Sequence, residues 1–382
     1  MSEIFDPVFG AVAVAAATDD RALLDALCET ETALARACAR AGLIELGTAL
    51  EIAAACDEMR RTDPAELGRR SVSGGNPVIP LVAELRTRLG NRADAAQAVH
   101  LGATSQDILD TALMLICSRA LGVVLADLAD CAASVATLAR EHRATPMAAR
   151  TLLQQAVPTT FGALAAGWGG ALDRSLARLV VVRASLPVQL GGAAGTLATL
   201  HPRGFVVLAA FADELDLAEP SGVWHTDRST ITELAGALGT AAAAIAKLAT
   251  DIVLLSQSEL GELAETIPGG SSSMAHKQNP IAAVTARAAA MQAPGLVATL
   301  LTAASPELQR GAGPWHAEWP ALIALLRSVG GAASRLRSSL SGLSVDATAM
   351  ARNLARLETV LDVADLGQAV DLVDRYLERR QS

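Results

Sequence analysis

The stretch from 230 to 265 constrains the fold more than any other. It is apolar on nearly every face of a helix, through Leu234, Leu238, Ala241, Ala244, Leu248, Ile252 and Leu255. A helix apolar all round is buried on all sides. One chain's five-helix bundle can hardly enclose it, so several bundles are expected to pack together. The run Ala-Gly-Ala-Leu-Gly-Thr at 235–240 permits close helix–helix approach.

An all-α fold follows from the remainder. Hydrophobic residues make up 51% of the 382 positions but aromatics only 3%. Small, strong helix formers therefore dominate and leave little for a sheet. Asp19-Asp20 starts a helix whose apolar residues (Leu23, Leu24, Leu27, Ala35, Ala39) run until Gly42. Helices are predicted over 48–61 and 79–89, with a turn at 62–64 and a loop at 71–77. From 107 onward five long helices are expected, over 107–142, 155–186, 230–265, 280–302 and 319–341, and two short ones after them. The expected organisation is an N-terminal helical domain (1–106), a central long-helix bundle (107–341) and a short C-terminal helical segment (342–382). Asp374, Arg375 and Tyr376 read as a solvated helix face.

Several function classes are disfavoured. A net charge of −9 argues against general nucleic-acid binding. The apolar runs are broken by charged residues, so no membrane span is expected, and the 9–17 run is too short and lacks the basic start of a secretory signal. The cytoplasm is the expected compartment. Cys28, Cys38, Cys56, Cys117 and Cys131 have no metal-type spacing and read as small buried thiols. No metal-ligand set, phosphate loop or dinucleotide fingerprint is present, so no cofactor is expected.

Four motifs carry chemistry. Pro-Gly-Gly-Ser-Ser-Ser-Met-Ala-His-Lys-Gln-Asn-Pro at 268–280 has no helical periodicity. Its glycines can turn backbone N–H groups toward a ligand, and it offers serine hydroxyls, a lysine charge and an asparagine amide. His100-Leu-Gly-Ala-Thr-Ser-Gln-Asp107 sits just before a long helix, whose N-terminus suits a carboxylate. Arg150-Thr-Leu-Leu-Gln-Gln precedes the next helix. Gly313-Pro-Trp-His-Ala-Glu-Trp-Pro320, after Glu307 and Arg310, holds two of the chain's four tryptophans at i, i+4, a spacing that suits packing anchors. His142, His201 and His225 lack convergent partners and read as structural or surface residues.

The run from Gly270 to Pro280 resembles the signature loop of the fumarase/aspartase superfamily, Gly-Ser-Ser-x-Met-Pro-x-Lys-x-Asn-Pro, with Ala275 in place of the first proline. The His100–Asp107 motif is similar to the superfamily's Gly-x-Thr-Ser-x-Asp. The resemblance implies that Ser271 is the catalytic base. Lys277 and Asn279 would contact a substrate carboxylate, and Ser272 and Met274 would add contacts from the same loop. His100 joins the catalytic set, while Thr104, Ser105 and Gln106 would hold further carboxylates. Thr151 and Gln154 occupy the superfamily's Thr and Gln positions. Leu152 stands where fumarases and adenylosuccinate and argininosuccinate lyases have histidine.

That leucine and the Gly-Pro-Trp-x-Ala-Glu-Trp run are similar to the branch of 3-carboxy-cis,cis-muconate cycloisomerases, in which Arg310 would face a carboxylate. The branch implies a tricarboxylate substrate, proton transfer by serine through an aci-carboxylate, and a homotetramer. That tetramer would have a twenty-helix core and sites shared by three subunits. A fumarate-releasing lyase of the same superfamily, a non-catalytic relative and a helical scaffold are the alternatives.

Overall fold

The computed structural model describes residues 4–10, 12–357, 362 and 364–381. Among the described residues the architecture is helical, with two small two-stranded sheets. The N-terminal segment is built on α1 (Asp20–Arg40). Asp19 caps it as expected, its carboxylate accepting from Ala22 N and satisfying a free N–H of the first turn. α2 (Leu46–Met59) and α3 (Val78–Leu89) follow. Between them, Asp63 and Pro64 begin a further short helix, Pro64–Ser71, rather than only closing a turn.

α4 (Ser105–Glu141) runs for 37 residues. The helix expected from 155 starts later, and a hairpin precedes it: β1 (Pro146–Thr151) pairs antiparallel with β2 (Gln154–Thr160). Val157, Pro158, Thr159 and Thr160 explain the difference, because Pro inside a helix costs about 3 kcal/mol and β-branched residues favour strands. α5 (Phe161–Ala184) begins once the Thr160 side chain accepts from Ala163 N. α6 (Gly204–Leu215) and α7 (Ser229–Leu255) come next. α7 stops ten residues short of the expected end, and Gly261 turns with positive φ into β3 (Leu263–Ala264).

The fourth long helix is divided into α8 (Ile281–Ala290) and α9 (Ala293–Ala303), because Pro294 has no N–H to continue the ladder. α10 (Pro314–Leu340) starts five residues before the expected 319, with Pro314 in its first turn. β4 (Ser344–Val345) pairs with β3, and the expected pair of short helices follows as α11 (Ala347–Leu354) and α12 (Ala369–Gln381).

α7 lies among α5, α8, α9 and α10, and α10 also packs on α4. Leu234, Leu238, Ala241, Ile245, Leu248 and Ile252 are buried there. Gly236, Thr240, Ala243 and Lys247 form an exposed stripe that one chain does not cover. One hydrophobic core extends from Val14 to Val373, and all five cysteines are buried and free.

By length and composition alone, Ser105–Glu141, Ser229–Leu255 and Ile281–Ala303 could cross a membrane. The scattered charges leave an apolar window of sufficient length in each, contrary to the reading that every run is interrupted. In the fold these windows are partly buried against other helices, most fully in α4.

The last helix also departs from expectation. α12 docks on α5, with Asp374 paired to Arg143 and Arg380 bound to Asp173 and the Ala132 carbonyl. Tyr376 lies over Gly169, where a Cβ would collide with its ring. Asp374 and Tyr376 thus face the bundle, while Arg375 is exposed.

Candidate active site

The signature loop is tied at its neck. Gly269 N donates to Asn279 O at 2.8 Å, and Asn279 N donates back to Gly269 O at 3.1 Å. The Asn279 amide also donates to the carbonyls of Gly269 and Gly270, both at 3.2 Å. Asn279 is therefore committed in part to closing the loop, which is closed with Ala275 in the proline position. Buried Glu265 accepts from Ala282 N at 3.0 Å and Ala283 N at 2.8 Å, a carboxylate set on the N-terminus of α8.

Within the closed loop, Ser271 Oγ accepts from Met274 N at 3.2 Å and more weakly from Ser273 N at 3.4 Å. Two backbone dipoles thus point at this oxygen, an arrangement that favours negative charge on it. Ser272, Met274, His276 and Lys277 are exposed, and Lys277 makes no ion pair among the described residues.

The second motif forms the start of α4. Thr104 is its N-cap, and Thr104 N donates to Asp107 Oδ2 at 2.9 Å. Asp107 is wholly buried and also accepts from Gly191 N (3.0 Å), Gly192 N (2.9 Å) and His225 Nε2 (2.6 Å). His225 was expected to lack a convergent partner; it is buried against this carboxylate, which lies far from it in sequence. Gln106 is buried too. Its amide donates to His225 O at 2.8 Å and Asp110 Oδ2 at 3.2 Å, and its Oε1 accepts from Arg310 at 3.3 Å. Arg310 further donates to the Ala193 carbonyl at 3.0 Å. Thr104 and Ser105 are half-buried at the helix end, whereas Gln106 is turned inward.

His100 precedes this helix with φ 64°, a left-handed conformation that costs a non-glycine residue about 1–2 kcal/mol. Its Nδ1 lies 2.7 Å from Oε1 of buried Glu31 on α1. Burial disfavours the imidazolium, but the Glu31 carboxylate, by charge and hydrogen bond, outweighs it, and the His100 pKa is raised.

The tryptophan motif braces the interior. Arg228 bridges Asp110 (2.8 Å) and Glu318 (2.6 Å), all three buried, and lies over the Trp224 ring. Trp315 Nε1 donates to Asp110 Oδ1 at 2.9 Å and packs edge-on against Trp319. Burial raises the Glu318 pKa despite Arg228, and Asp110 adds to the rise.

The third motif occupies the hairpin tip. Thr151 pairs with Gln154 around a two-residue turn in which Leu152 (φ 51°) and Leu153 (φ 64°) are both left-handed. Such a turn matches the twist of the strands but normally takes Asn or Gly. Leu152 is 96% exposed. Beneath the tip, Arg150 forms a two-pronged pair with buried Glu262 at 2.8 and 2.6 Å, and Asn353 of α11 donates to the same carboxylate.

No described hydrogen bond or ion pair joins the loop, the α4 start and the hairpin tip to one another. Glu31, Arg228, Glu262 and Glu265 escaped the sequence reading. Glu31 had a readable signal, since it falls on the apolar stripe of Leu24, Leu27, Leu34 and Cys38, where a charge is anomalous. The other three acquire partners only through tertiary contacts.

A helical bundle carrying a closed Gly-Ser-Ser loop with lysine and asparagine places this chain in the lyase family, whose model matches residues 8–295. The chain belongs to that family, within the fumarase/aspartase superfamily, and is an enzyme of that class. It is 44% identical over 358 residues to a 3-carboxy-cis,cis-muconate cycloisomerase of Pseudomonas aeruginosa, covering 92% of this chain and 78% of the relative. It is 42% identical over 370 residues to a nitrosuccinate lyase of Streptomyces davaonensis, covering 92% and 77%. The crystal structure of 3-carboxy-cis,cis-muconate lactonizing enzyme from Pseudomonas putida superimposes with a TM-score of 0.87 at 37% identity, covering 100% of this chain and 89% of that one.

Proposed function

We propose that the chain is a 3-carboxy-cis,cis-muconate cycloisomerase, interconverting that tricarboxylate with 4-carboxymuconolactone in aromatic catabolism in the cytoplasm. The observation that carries the reading is the tied loop with Ser271 Oγ held by two N–H groups, in a chain 44% identical to such an enzyme. In the cyclising direction a substrate carboxylate oxygen bonds to a diene carbon. The electron pair moves to the carbon beside another carboxylate, giving an aci-carboxylate with two negative oxygens. Lys277 supplies the fixed positive partner those oxygens need in a dry site, and Asn279 keeps the loop closed beside it through the Gly269 and Gly270 carbonyls. Ser271 gives its proton to the carbanion carbon and is reprotonated from solvent. The N–H groups of Ser273 and Met274 hold the alkoxide meanwhile. His100, Thr104 and Ser105 position the remaining carboxylates.

The site would be completed by other copies in a homotetramer. The separate surroundings of the three motifs support this, as do the uncovered stripe on α7 and the strained, exposed leucines at the hairpin tip. No cofactor or metal is needed for this chemistry.

The test is ultraviolet absorbance of 3-carboxy-cis,cis-muconate on adding the purified protein. Loss of the conjugated diene signal is expected, and an unchanged spectrum would overturn the assignment. The nitrosuccinate lyase at comparable identity favours one second reading, β-elimination from a substituted succinate. Fumarate appearing from such a substrate, with muconate untouched, would establish it.

A further inference from the structure

We propose that Glu31 is a positioning residue for His100, fixing the ring so that a charged Nε2–H faces a substrate carboxylate. The inference rests on the role given to His100 above. Its geometry stands independently of that role.

Glu31 projects from the middle of α1, and its side chain is wholly inaccessible. One oxygen meets His100 Nδ1 at 2.7 Å, and the other has no hydrogen-bond partner among the described residues. A carboxylate removed from water and half satisfied is strongly destabilising unless a charge neutralises it. Imidazolium at His100 supplies that charge; a neutral ring would leave Glu31 alone in an apolar helix interface. The bond at Nδ1 also fixes the ring plane and leaves Nε2 as the outward nitrogen, with no partner among the described residues.

Other charged groups face His100 from the neighbouring helices. Asp107 at the start of α4 adds to the attraction for a proton, and Arg86 on α3 opposes it. The strained φ of His100 shows that the surrounding contacts hold the backbone where the pair can form. His100 and Thr104 then lie on either side of the glycine that turns the chain into α4, so a fixed cation stands beside the helix N-terminus. Both features attract a carboxylate.

The test is the titration of the histidine rings by NMR in the full-length protein, with His100→Asn assigning the resonance. His100 is expected to titrate above the ordinary imidazole value of 6.5. In Glu31→Gln, which keeps the side-chain shape but removes the charge, its midpoint should fall below that of the native protein. A native His100 titrating at or below 6.5 would overturn the proposal even if the variant does not fold.

The second readout is the pH profile of KM for 3-carboxymuconate. KM should climb as His100 loses its proton, and in Glu31→Gln the climb should begin at lower pH with kcat on the plateau kept. A purely structural Glu31 would instead lower kcat by the same factor at every pH. If the native protein leaves muconate unchanged, the reaction assigned above fails. The pair is then decided by the ring titration with and without propane-1,2,3-tricarboxylate. The probe should raise the His100 midpoint, and no change would refute carboxylate recognition.

Discussion

Trp315 Nε1 donates to Asp110 Oδ1 at 2.9 Å, joining the tryptophan motif of α10 to the first turns of α4. The same carboxylate is paired with Arg228, which also holds Glu318. One guanidinium therefore stands between two buried carboxylates. Replacing Arg228 with Met should cost about 3–5 kcal/mol, because it strands both. Trp315→Phe removes one donor while Arg228 keeps Asp110 paired, and should cost about 1 kcal/mol for the hydrogen bond. Urea denaturation of the two variants checks the contrast, and equal losses would refute it.

Ser271→Ala should lower kcat about 10²–10⁴-fold, the range for a lost proton-transfer group. KM should change little, because the hydroxyl is assigned to the carbon proton and not to a carboxylate. Steady-state kinetics on 3-carboxymuconate give both numbers. A large rise in KM with kcat retained would reassign Ser271 to binding.

Lys247 and Lys277 are the only lysines in the chain. Lys247 is paired with Asp251, whereas Lys277 is exposed on the loop. An amine-acylating reagent should inactivate the enzyme through Lys277, and propane-1,2,3-tricarboxylate should protect it. Peptide mass mapping decides the site, and inactivation that tracks Lys247 alone would remove Lys277 from the mechanism.

Mixing the Ser271→Ala protein, crippled in kcat, with the His100→Asn protein, crippled in KM, and assaying at muconate well below KM tests whether a site draws on different subunits. Random reassembly should restore about a quarter of native activity if the two residues reach one site from different copies of a symmetric tetramer. Persistent inactivity after dissociation and reassembly would place both residues in sites built by a single chain.

The His100–Glu31 pair also predicts a pH dependence of stability. His100 has a folded pKa above its unfolded value. Its contribution is therefore fully present below the unfolded value, near 6.5, and is lost as pH rises through the folded pKa. The stability difference between native protein and Glu31→Gln should thus shrink from pH 6 toward alkaline pH. A difference that grows over that range would contradict the pairing.

Much of this architecture was legible along the chain, for local reasons. The Asp19 cap, the presence and order of the long helices, and the Gly-Ser-Ser-x-Met-x-x-Lys-x-Asn loop depend on periodicity, capping and turn chemistry within a few residues, whereas several helix ends were misplaced. The misreadings have equally local causes: Pro158 sits in a strand, and Pro294 divides a helix.

The partners of the buried charges were not legible. Asp107 meets His225, Arg228 meets Glu318, Arg150 meets Glu262, and His100 meets Glu31. Each pair is separated by about 70–120 residues in the chain, and a lone charge in a sequence does not say which opposite charge it will face. The chain's own sequence determined the long helices, the reactive loop and the family to which they belong. Tertiary packing alone decided which carboxylate steadies each cation, because burying a charge is tolerable only where the fold delivers its counterpart.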